Sequence, residues 1–390
     1  MYNDLDEIDY VVMGVVDQVF PQVVKDLLDG SEPHFKMMGN KKVIDTANHY
    51  KQPKVCPPHD WKEHWCIQKN EVLPIEIGRG CAFNCKFCNY DKKENFRKSL
   101  SDLKDEFTKN YEQHGVQYYH FVDDCFNDSR VKVEEVCNLL LALPFKIEWA
   151  SYLRFDLAVK FPETADLIVS SGGRAFHWGV ESLTYEVARR AGKGTPSDKI
   201  KEFILNFSKK YKGLCYSTGS FISGLPGETE ETWKAQIDWL VQTENFDFIQ
   251  LGPLGIAPFK QEFDGNVIDY ADYARNPQKY GFSEINMKTH YWKHETMDSI
   301  QAKELADWAM SKWEKKLEGR NGISTDIWIY PMLRSLGYSE TEVAELYFNP
   351  SKKRQEELYK QGSLKHRARI DNYFAEIQNL SKKQNIEISI

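Results

Sequence analysis

Three cysteines stand close together in the stretch CAFNCKFC, as Cys81, Cys85 and Cys88. They follow an apolar run and a GRG turn. A structural zinc site usually takes four protein ligands arranged as two pairs, and no fourth Cys or His lies at a matching spacing. Three thiolates in one short loop instead suit an iron–sulfur cluster whose remaining iron stays open to a small molecule. The spacing therefore favours a catalytic cluster over a structural zinc site.

The bulk composition excludes several other classes of protein. The chain has 390 residues, of which 41% are apolar and 28% charged, as in ordinary globular proteins. Its eight cysteines are too sparse for a secreted disulfide scaffold, and its net charge of −7 argues against a chain-wide nucleic-acid surface. No apolar run reaches the roughly 20 residues that cross a bilayer, and the acidic N-terminus does not resemble a signal peptide. We expect a cytoplasmic protein without a membrane partner.

Alternating strands and helices must position the cysteines. Apolar, strand-like runs separated by helical segments begin at residue 73. This alternation predicts parallel βα units, and hence an α/β fold with a partial or full parallel (β/α)6 barrel whose functional groups gather at the carboxyl ends of the strands. The six predicted strands are 73–78, 118–124, 147–154, 175–182, 215–224 and 246–254.

The chain divides into three predicted regions. Residues 1–72 form an N-terminal extension, with a short strand and helix over 10–30 and an irregular linker over 31–72. Residues 73–258 form the barrel. Residues 259–390 contain an aromatic loop and then a mainly helical region that begins with an amphipathic helix over 299–319.

The cysteine pattern CxxxCxxC, with the aromatic Phe87 before its last cysteine and a barrel strand before its first, resembles the radical S-adenosylmethionine (SAM) superfamily. The resemblance implies that Cys81, Cys85 and Cys88 hold an oxygen-sensitive 4Fe–4S cluster, whose open iron chelates SAM. One electron, supplied by a flavodoxin or ferredoxin, would cleave SAM to a 5′-deoxyadenosyl radical. That radical would abstract a hydrogen atom from the substrate.

The resemblance extends over about residues 73–255 and assigns further residues to SAM. In the segment HFVDDCF, Asp123 and Asp124 would accept hydrogen bonds from the amino group of SAM. Arg154 would pair with its carboxylate. The structural alternatives are a helix cap for either aspartate and an internal salt bridge for Arg154.

Two more segments resemble SAM-binding strands of the family. In HWGVES, Glu181 and Ser182 would face the ribose and carboxylate region. In SFISGLPGETEET, the backbone from Ile222 to Gly224 would lie along the adenine, since glycine permits a close backbone approach. A plain strand-to-helix turn explains the glycines of this segment but not the whole string.

The chain departs from the family in ways that leave its reaction open. The two adjacent aspartates resemble the subgroup that carries a cobalamin-binding domain, and residues 9–30 look like a remnant of such a domain. The rest of that domain and its D-x-H-x-x-G segment do not occur in the sequence, so we do not expect cobalamin. A methyltransferase that takes cobalamin from solution or from a partner, and a non-catalytic iron–sulfur protein, are the alternatives.

The sequence assigns no individual catalytic residue and no substrate. Cys125 and Cys215 lie near strand ends and are candidate hydrogen donors, although free cysteines are more often core residues. A peptide, a nucleotide or tRNA, and a small molecule all stay open as substrates.

Overall fold

The computed structural model describes residues 8–13, 16, 19–45, 58–61, 67–88, 96–256, 261–263, 266–268, 271–286, 288–317, 327–348 and 351–383. Contacts divide the chain into two compact units. One comprises Met1–Val55 with Lys260–Ile268, and the other comprises Cys56–Phe259 with Asp269–Ile390. The three regions and their boundaries, 1–72, 73–258 and 259–390, stay a prediction.

The strands of the described residues are β1 (Tyr10–Met13), β2 (Lys36–Met38), β3 (Lys41–Asp45), β4 (Val72–Ile75), β5 (Gly78–Arg79), β6 (Phe96–Arg97), β7 (Tyr118–Phe121), β8 (Glu148–Arg154), β9 (Gly173–Glu181), β10 (Tyr216–Ser223), β11 (Phe248–Pro253), β12 (Gln261–Phe263), β13 (Asn266–Ile268), β14 (Phe282–Asn286) and β15 (Tyr291–His294).

The helices are α1 (Val19–Leu28), α2 (Leu100–His114), α3 (Arg130–Leu141), α4 (Phe155–Lys160), α5 (Glu163–Ser170), α6 (Tyr185–Arg190), α7 (Ser197–Lys210), α8 (Glu230–Gln242), α9 (Asp272–Arg275), α10 (Ser299–Lys316), α11 (Ile329–Ser335), α12 (Glu340–Phe348) and α13 (Lys352–Lys383). A 3-10 helix spans Pro277–Tyr280. None of the helices in the described residues combines the length and the apolar character that a membrane span requires.

The smaller unit contains the predicted N-terminal strand and helix. Strand β1 pairs in parallel with β3, and α1 packs Val19 and Val23 against Ile44. The prediction of a strand and helix over residues 10–30 is confirmed. The prediction of an irregular linker is wrong for residues 36–45, because β2 and β3 form an antiparallel hairpin there. Its turn contains Gly39 with φ 63°, a conformation that favours glycine.

The larger unit is built on a six-stranded parallel sheet in the order β4-β7-β8-β9-β10-β11. Neighbours in the sheet are consecutive βα units, and β4 and β11 do not pair with each other. This open sheet confirms the predicted partial barrel. Each strand begins and ends within three residues of its predicted limits. The carboxyl ends of all six strands therefore lie along one edge of the sheet.

One face of the sheet packs against the helices of the βα units. Trp149 of β8 is fully buried and stacks on Phe121 of β7, with ring centroids 4.4 Å apart. Trp178 of β9 packs against Phe203 and Phe207 of α7. Burial of one large aromatic side chain contributes about 1.5–3 kcal/mol to folding. These rings fix the strands against their helices and leave the opposite face for the site.

The opposite face is covered at the amino ends of the strands by the C-terminal helices. The sheet contributes Ala150, Ala175, Tyr216 and Phe248, and helices α11, α12 and α13 contribute Tyr330, Leu333, Val343, Leu346 and Leu358. Glu148 at the start of β8 accepts two hydrogen bonds from Arg334, at 2.8 and 2.7 Å, and one from Tyr330 at 2.9 Å. This group of contacts fastens α11 to the sheet.

We expect Arg334→Ala to lower the free energy of unfolding by about 2–3 kcal/mol, because it leaves a largely buried carboxylate short of donors. Urea unfolding followed by circular dichroism measures the change. The control is Arg367→Ala in α13, whose pair with Asp371 is solvent-exposed and should contribute nothing measurable. Equal effects of the two substitutions would contradict a structural role for the Glu148–Arg334 pair.

Candidate functional site

The cysteine loop follows β4 and β5, at the edge where the strands end. Cys85 is 8% exposed, whereas Cys81 and Cys88 are half-buried. The N–H of Lys86 donates to the carbonyl of Ala191 at 3.0 Å, just beyond α6. The main chain of the loop is therefore fastened to the segment that follows the fourth strand of the sheet.

The sulfur atoms of this loop have the chemistry of metal ligands. A hydrogen bond from Cys125, helped by the N–H of Phe83 and the charge of Arg154, lowers the pKa of Cys81 to about 6 against the effect of burial. Cys85 accepts a hydrogen bond from Nη1 of Arg154 at 2.8 Å. The thiolate is the form that binds metal. The donor set therefore fits a cluster, although no three Cys, His, Asp or Glu groups within the described ranges are already arranged as a metal site.

Asp123 lies beneath the cysteine loop and is almost fully buried. Its Oδ1 accepts the N–H groups of Ile77 at 2.8 Å and Gly78 at 3.2 Å, and its Oδ2 lies 2.7 Å from Nζ of Lys132. Although burial alone would lower the pKa of Lys132, the carboxylates of Asp123 and Asp128 raise it. Asp123 thus holds the chain between β4 and the cysteines.

Asp124 lies beside Asp123 but is only half-buried. It accepts a hydrogen bond from the N–H of Gly80, the residue before Cys81. Burial raises the pKa of Asp124, and the neighbouring charge of Asp123 raises it further. Of the two aspartates, Asp124 is the one whose carboxylate lies nearer solvent at the cysteine loop.

Arg154 ends β8 and contacts the cysteine loop directly. The side chain of Asn127 bridges to its backbone, with Nδ2 donating to O at 2.8 Å and Oδ1 accepting from N at 2.7 Å. Its guanidinium donates to Asp156 at 2.5 Å and lies 3.8 Å from the ring centroid of Phe83. The structure therefore brings the predicted Arg154 to the cysteines.

Glu181 and Ser182 end β9 on the same edge. Glu181 has a φ of 65°, which is uncommon for a residue other than glycine. Nζ of Lys193 donates to its Oε1 at 2.9 Å and to the carbonyl of Gly179 at 2.6 Å. Ser182 is fully buried and accepts the N–H of Thr184 at 3.1 Å. Strained backbone at a strand end is typical of a binding site.

Ile222 and Gly224 end β10. Ile222 is half-buried, and Gly224 has a φ of +85°. A Cβ on Gly224 would lie 2.5 Å from the Trp292 ring, so both conformation and contact require glycine there. The fully buried Glu228 accepts the N–H of Gly224 at 2.8 Å and Nε2 of Gln236 at 3.1 Å. Gln236 in turn accepts the N–H of Leu183 at 2.9 Å, which couples the ends of β9 and β10.

A segment outside the barrel strands braces both the cysteine loop and the end of β10. The N–H of Tyr273 donates to the carbonyl of Lys86 at 3.0 Å, and Asp272 lies 3.4 Å from Nζ of Lys86. Further along, Nε2 of His294 donates to the carbonyl of Gly224 at 3.0 Å. We call residues 271–286 and 288–294 the brace. Buried His294 and Trp292 thus support the site from behind.

The remaining candidates fall at different places. Phe87 is half-buried and packs against the main core. Cys125 lies at the carboxyl end of β7, beside Cys81. Cys215 precedes β10, and its sulfur faces the carbonyl of Gly173 at 3.6 Å. It is therefore at the amino ends of the strands, away from the cysteine loop, and it is buried, as expected of a core thiol.

Three polar residues of the site were not found from the sequence. These are Lys132, Asn127 and Lys193. Lys132 had a readable signal, because it precedes Val133 and Val136 on the buried side of α3, where a lysine needs an acidic partner. Asn127 and Lys193 act through tertiary contacts, which no local sequence pattern predicts.

We expect Gly192→Ala to reduce the amount of iron that the reconstituted protein retains. Gly192 has a φ of +89°, and an added Cβ would lie 2.9 Å from the carbonyl oxygen of Asn84 and 3.2 Å from Cα of Cys85. Iron per chain after anaerobic reconstitution measures the effect. Gly194→Ala is the matched control, since its Cβ would meet nothing within 4 Å. Equal iron content in both variants would show that this contact does not position the loop.

We expect the stability of the protein to depend on the protonation of Glu228. Burial raises the pKa of this carboxyl from about 4.5 to about 8. Its stabilising contribution is therefore complete below pH 4.5 and is lost as the pH rises through about 8. The wild type should lose stability relative to Glu228→Gln between these values, as measured by urea unfolding at several pH values. Parallel curves for the two proteins would contradict this.

Comparison with known proteins relates part of this chain to a known family. The sequence model of the Radical SAM superfamily matches residues 75–240. An uncharacterized methyltransferase of Pyrococcus horikoshii is 25% identical over 234 residues, which are 59% of this chain and 49% of that protein. The anaerobic magnesium-protoporphyrin IX monomethyl ester cyclase of Cereibacter sphaeroides is 26% identical over 207 residues, which are 50% of this chain and 33% of the cyclase. The chain thus spans half or less of the length of these relatives.

A solved structure supports the fold. The radical SAM methyltransferase TsrM from Kitasatospora setae superimposes with a TM-score of 0.52 and 15% identity, over 69% of this chain and 54% of TsrM. At that identity the likeness concerns the fold alone. The matched residues 75–240 contain Cys81, Cys85 and Cys88 and the ends of β7, β8, β9 and β10. The chain therefore contains a Radical SAM domain over residues 75–240, and such a domain implies a 4Fe–4S cluster and SAM as cofactors.

Proposed function

We propose that this protein reductively cleaves SAM at a 4Fe–4S cluster held by Cys81, Cys85 and Cys88. When bound, the cluster would supply one electron to SAM, which would divide into methionine and the 5′-deoxyadenosyl radical that takes a hydrogen atom from a substrate. The observation that carries this proposal is the loop of three closely spaced cysteines at the carboxyl edge of the parallel sheet. A flavodoxin or ferredoxin in the cytoplasm is the proposed electron donor.

The ends of four strands would share the binding of SAM. Asp124, which is half-buried beside the loop, is our candidate acceptor for the amino group. We assign Asp123 a supporting role, since both of its oxygens already contact protein donors. Glu181 and Ser182 would contact the ribose and carboxylate region. The backbone from Ile222 to Gly224 would follow the adenine, and Phe87 would pack beside the loop.

The substrate would lie on the face of the sheet that the C-terminal helices leave open. Tyr152 of β8 is 37% exposed there and neighbours His177 of β9, with ring centroids 4.9 Å apart. Trp328 lies 5.3 Å from the ring of Tyr152 and 4.6 Å from that of His120. Because Arg154 follows Tyr152 by two residues on the same strand face, these rings begin directly below the cysteine loop. Aromatic walls with a few polar groups are typical of small-molecule sites.

The proposal predicts cysteine-dependent formation of 5′-deoxyadenosine. The purified protein is reconstituted anaerobically with iron and sulfide and incubated with dithionite and SAM, and the product is measured by mass spectrometry. The triple variant Cys81/Cys85/Cys88→Ala should lose the cluster and all product. Cys215→Ala, at the opposite end of the sheet, should retain both.

Two outcomes would contradict the proposal. Zinc in place of iron in protein isolated without oxygen would exclude the cluster. A stable cluster that never cleaves SAM, even with reduced flavodoxin, would favour the non-catalytic iron–sulfur protein.

A methyltransferase that takes cobalamin from solution or from a partner is the second candidate. It is favoured by the relative from Pyrococcus horikoshii, whose name describes a methyltransferase. Titration of the reconstituted protein with hydroxocobalamin, followed by its absorption spectrum and by gel filtration, separates the two. Co-elution of cobalamin at one per chain would favour methyl transfer, and no binding would favour the cobalamin-independent reaction.

A further inference from the structure

Several protein contacts hold both the backbone and the side chain of Arg154 without any bound ligand. Asn127 makes two hydrogen bonds to its backbone, at 2.7 and 2.8 Å. Asp156 accepts from its Nη2 at 2.5 Å, and the ring of Phe83 lies 3.8 Å from its guanidinium carbon. The whole residue is 6% exposed. The backbone, one edge of the guanidinium and one of its faces are therefore already engaged by protein.

Nη1 of the guanidinium faces Cys85. Nη1 lies 2.8 Å from the sulfur, which is short for an N–H···S contact and indicates a charge-assisted hydrogen bond. Nε of Arg154 is buried and has no hydrogen-bond partner among the described residues. A carboxylate of SAM that paired with Nη1 and Nη2 would require the bonds to Cys85 and Asp156 to be given up. Such a rearrangement would also leave the charge of Asp156 unpaired.

Tyr273 of the brace is bonded through its backbone to the neighbour of the same cysteine, Lys86. It is fully buried, and its hydroxyl has no hydrogen-bond partner among the described residues. Its ring lies 4.8 Å from that of Tyr280. A buried hydroxyl without a partner costs free energy, so this one, on a residue whose backbone is bonded next to Cys85, indicates a missing acceptor.

We propose that Arg154 and Tyr273 are positioning residues that donate hydrogen bonds to the sulfur side of the cluster at Cys85, and that they tune its reduction potential. This inference rests on the proposed iron–sulfur function. Hydrogen bonds to the sulfurs and local charge set the potentials of such clusters. Both donors would stabilise the reduced cluster, which carries one more negative charge than the oxidised cluster, and would therefore raise its reduction potential. Arg154 would then not be the partner of the SAM carboxylate that the sequence predicted.

The test is a redox titration of the reconstituted cluster followed by electron paramagnetic resonance. Arg154→Gln should shift the midpoint potential to more negative values, because it removes a positive charge and weakens a hydrogen bond to Cys85. Tyr273→Phe removes only the hydroxyl and should shift the potential in the same direction by less. Arg154→Lys keeps the charge and should recover part of the shift.

Matched controls separate this effect from general damage. Arg174→Gln changes a half-buried arginine whose Nη1 bonds to the carbonyls of Val169 and Gly173 at the opposite end of β9. Tyr119→Phe removes another fully buried hydroxyl, on β7. Neither substitution should move the potential.

Equilibrium dialysis with SAM distinguishes the two roles of Arg154. If Arg154 acts on the cluster, Arg154→Gln should change the Kd for SAM by less than about threefold, well under one tenfold step of affinity. If Arg154 instead pairs with the carboxylate, the Kd should rise about tenfold or more. An unchanged potential in Arg154→Gln would overturn its tuning role, and an unchanged potential in Tyr273→Phe would overturn that of Tyr273.

The failure of this inference and the failure of the proposed function give different results. Unchanged potentials in variants of a wild type that cleaves SAM would reject the inference alone. A wild type that binds zinc would reject the function, and the inference with it.

Discussion

The buried ion pair of Asp123 and Lys132 is the interaction on which the site depends. Both side chains are 1% exposed, so the pair is stable only because the carboxylate also accepts the N–H groups of Ile77 and Gly78. These bonds join the chain after β4 to the end of β7 and to α3. The cysteine loop begins three residues after Gly78. Its starting point and direction are therefore set by the buried carboxylate of Asp123, which holds the backbone at Gly78.

The site is also supported from the sequence-distant brace. Trp292 packs on Gly224, His294 binds the Gly224 carbonyl, and Tyr273 binds the carbonyl of Lys86. Trp292 and His294 are buried as packing and hydrogen-bonding residues. One continuous segment thus touches the two strand ends that lie farthest apart in the site, and it keeps the cysteine loop and the end of β10 in a fixed relation.

The strands, the helices and the cysteine motif could be predicted from the sequence, but the interactions that join them could not. Strand limits were predictable because buried parallel strands are short apolar runs between helices. The placement of Arg154, Glu181 and Gly224 at one edge followed from the parallel topology alone. The roles of Asp123 and Asp124 differ only through burial and through Lys132, which is a tertiary contact. The hairpin of β2 and β3 was missed because its strands are short and rich in lysine, which weakens the alternation that marks a strand.

The brace bears on how the protein can be divided or recombined. Residues 75–240 match the family, yet β11, α10 and the brace lie beyond that limit while completing the sheet and backing Gly224. A fragment that ended at residue 240 would expose the edge of β10. It would also lack Trp292, which covers one side of the core. If C-terminal regions were exchanged between relatives, two contacts would have to be preserved. These are the packing of Trp292 on Gly224 and the ion pair of Asp272 with Lys86. The part of the chain that this site requires is therefore larger than the segment that the family model matches.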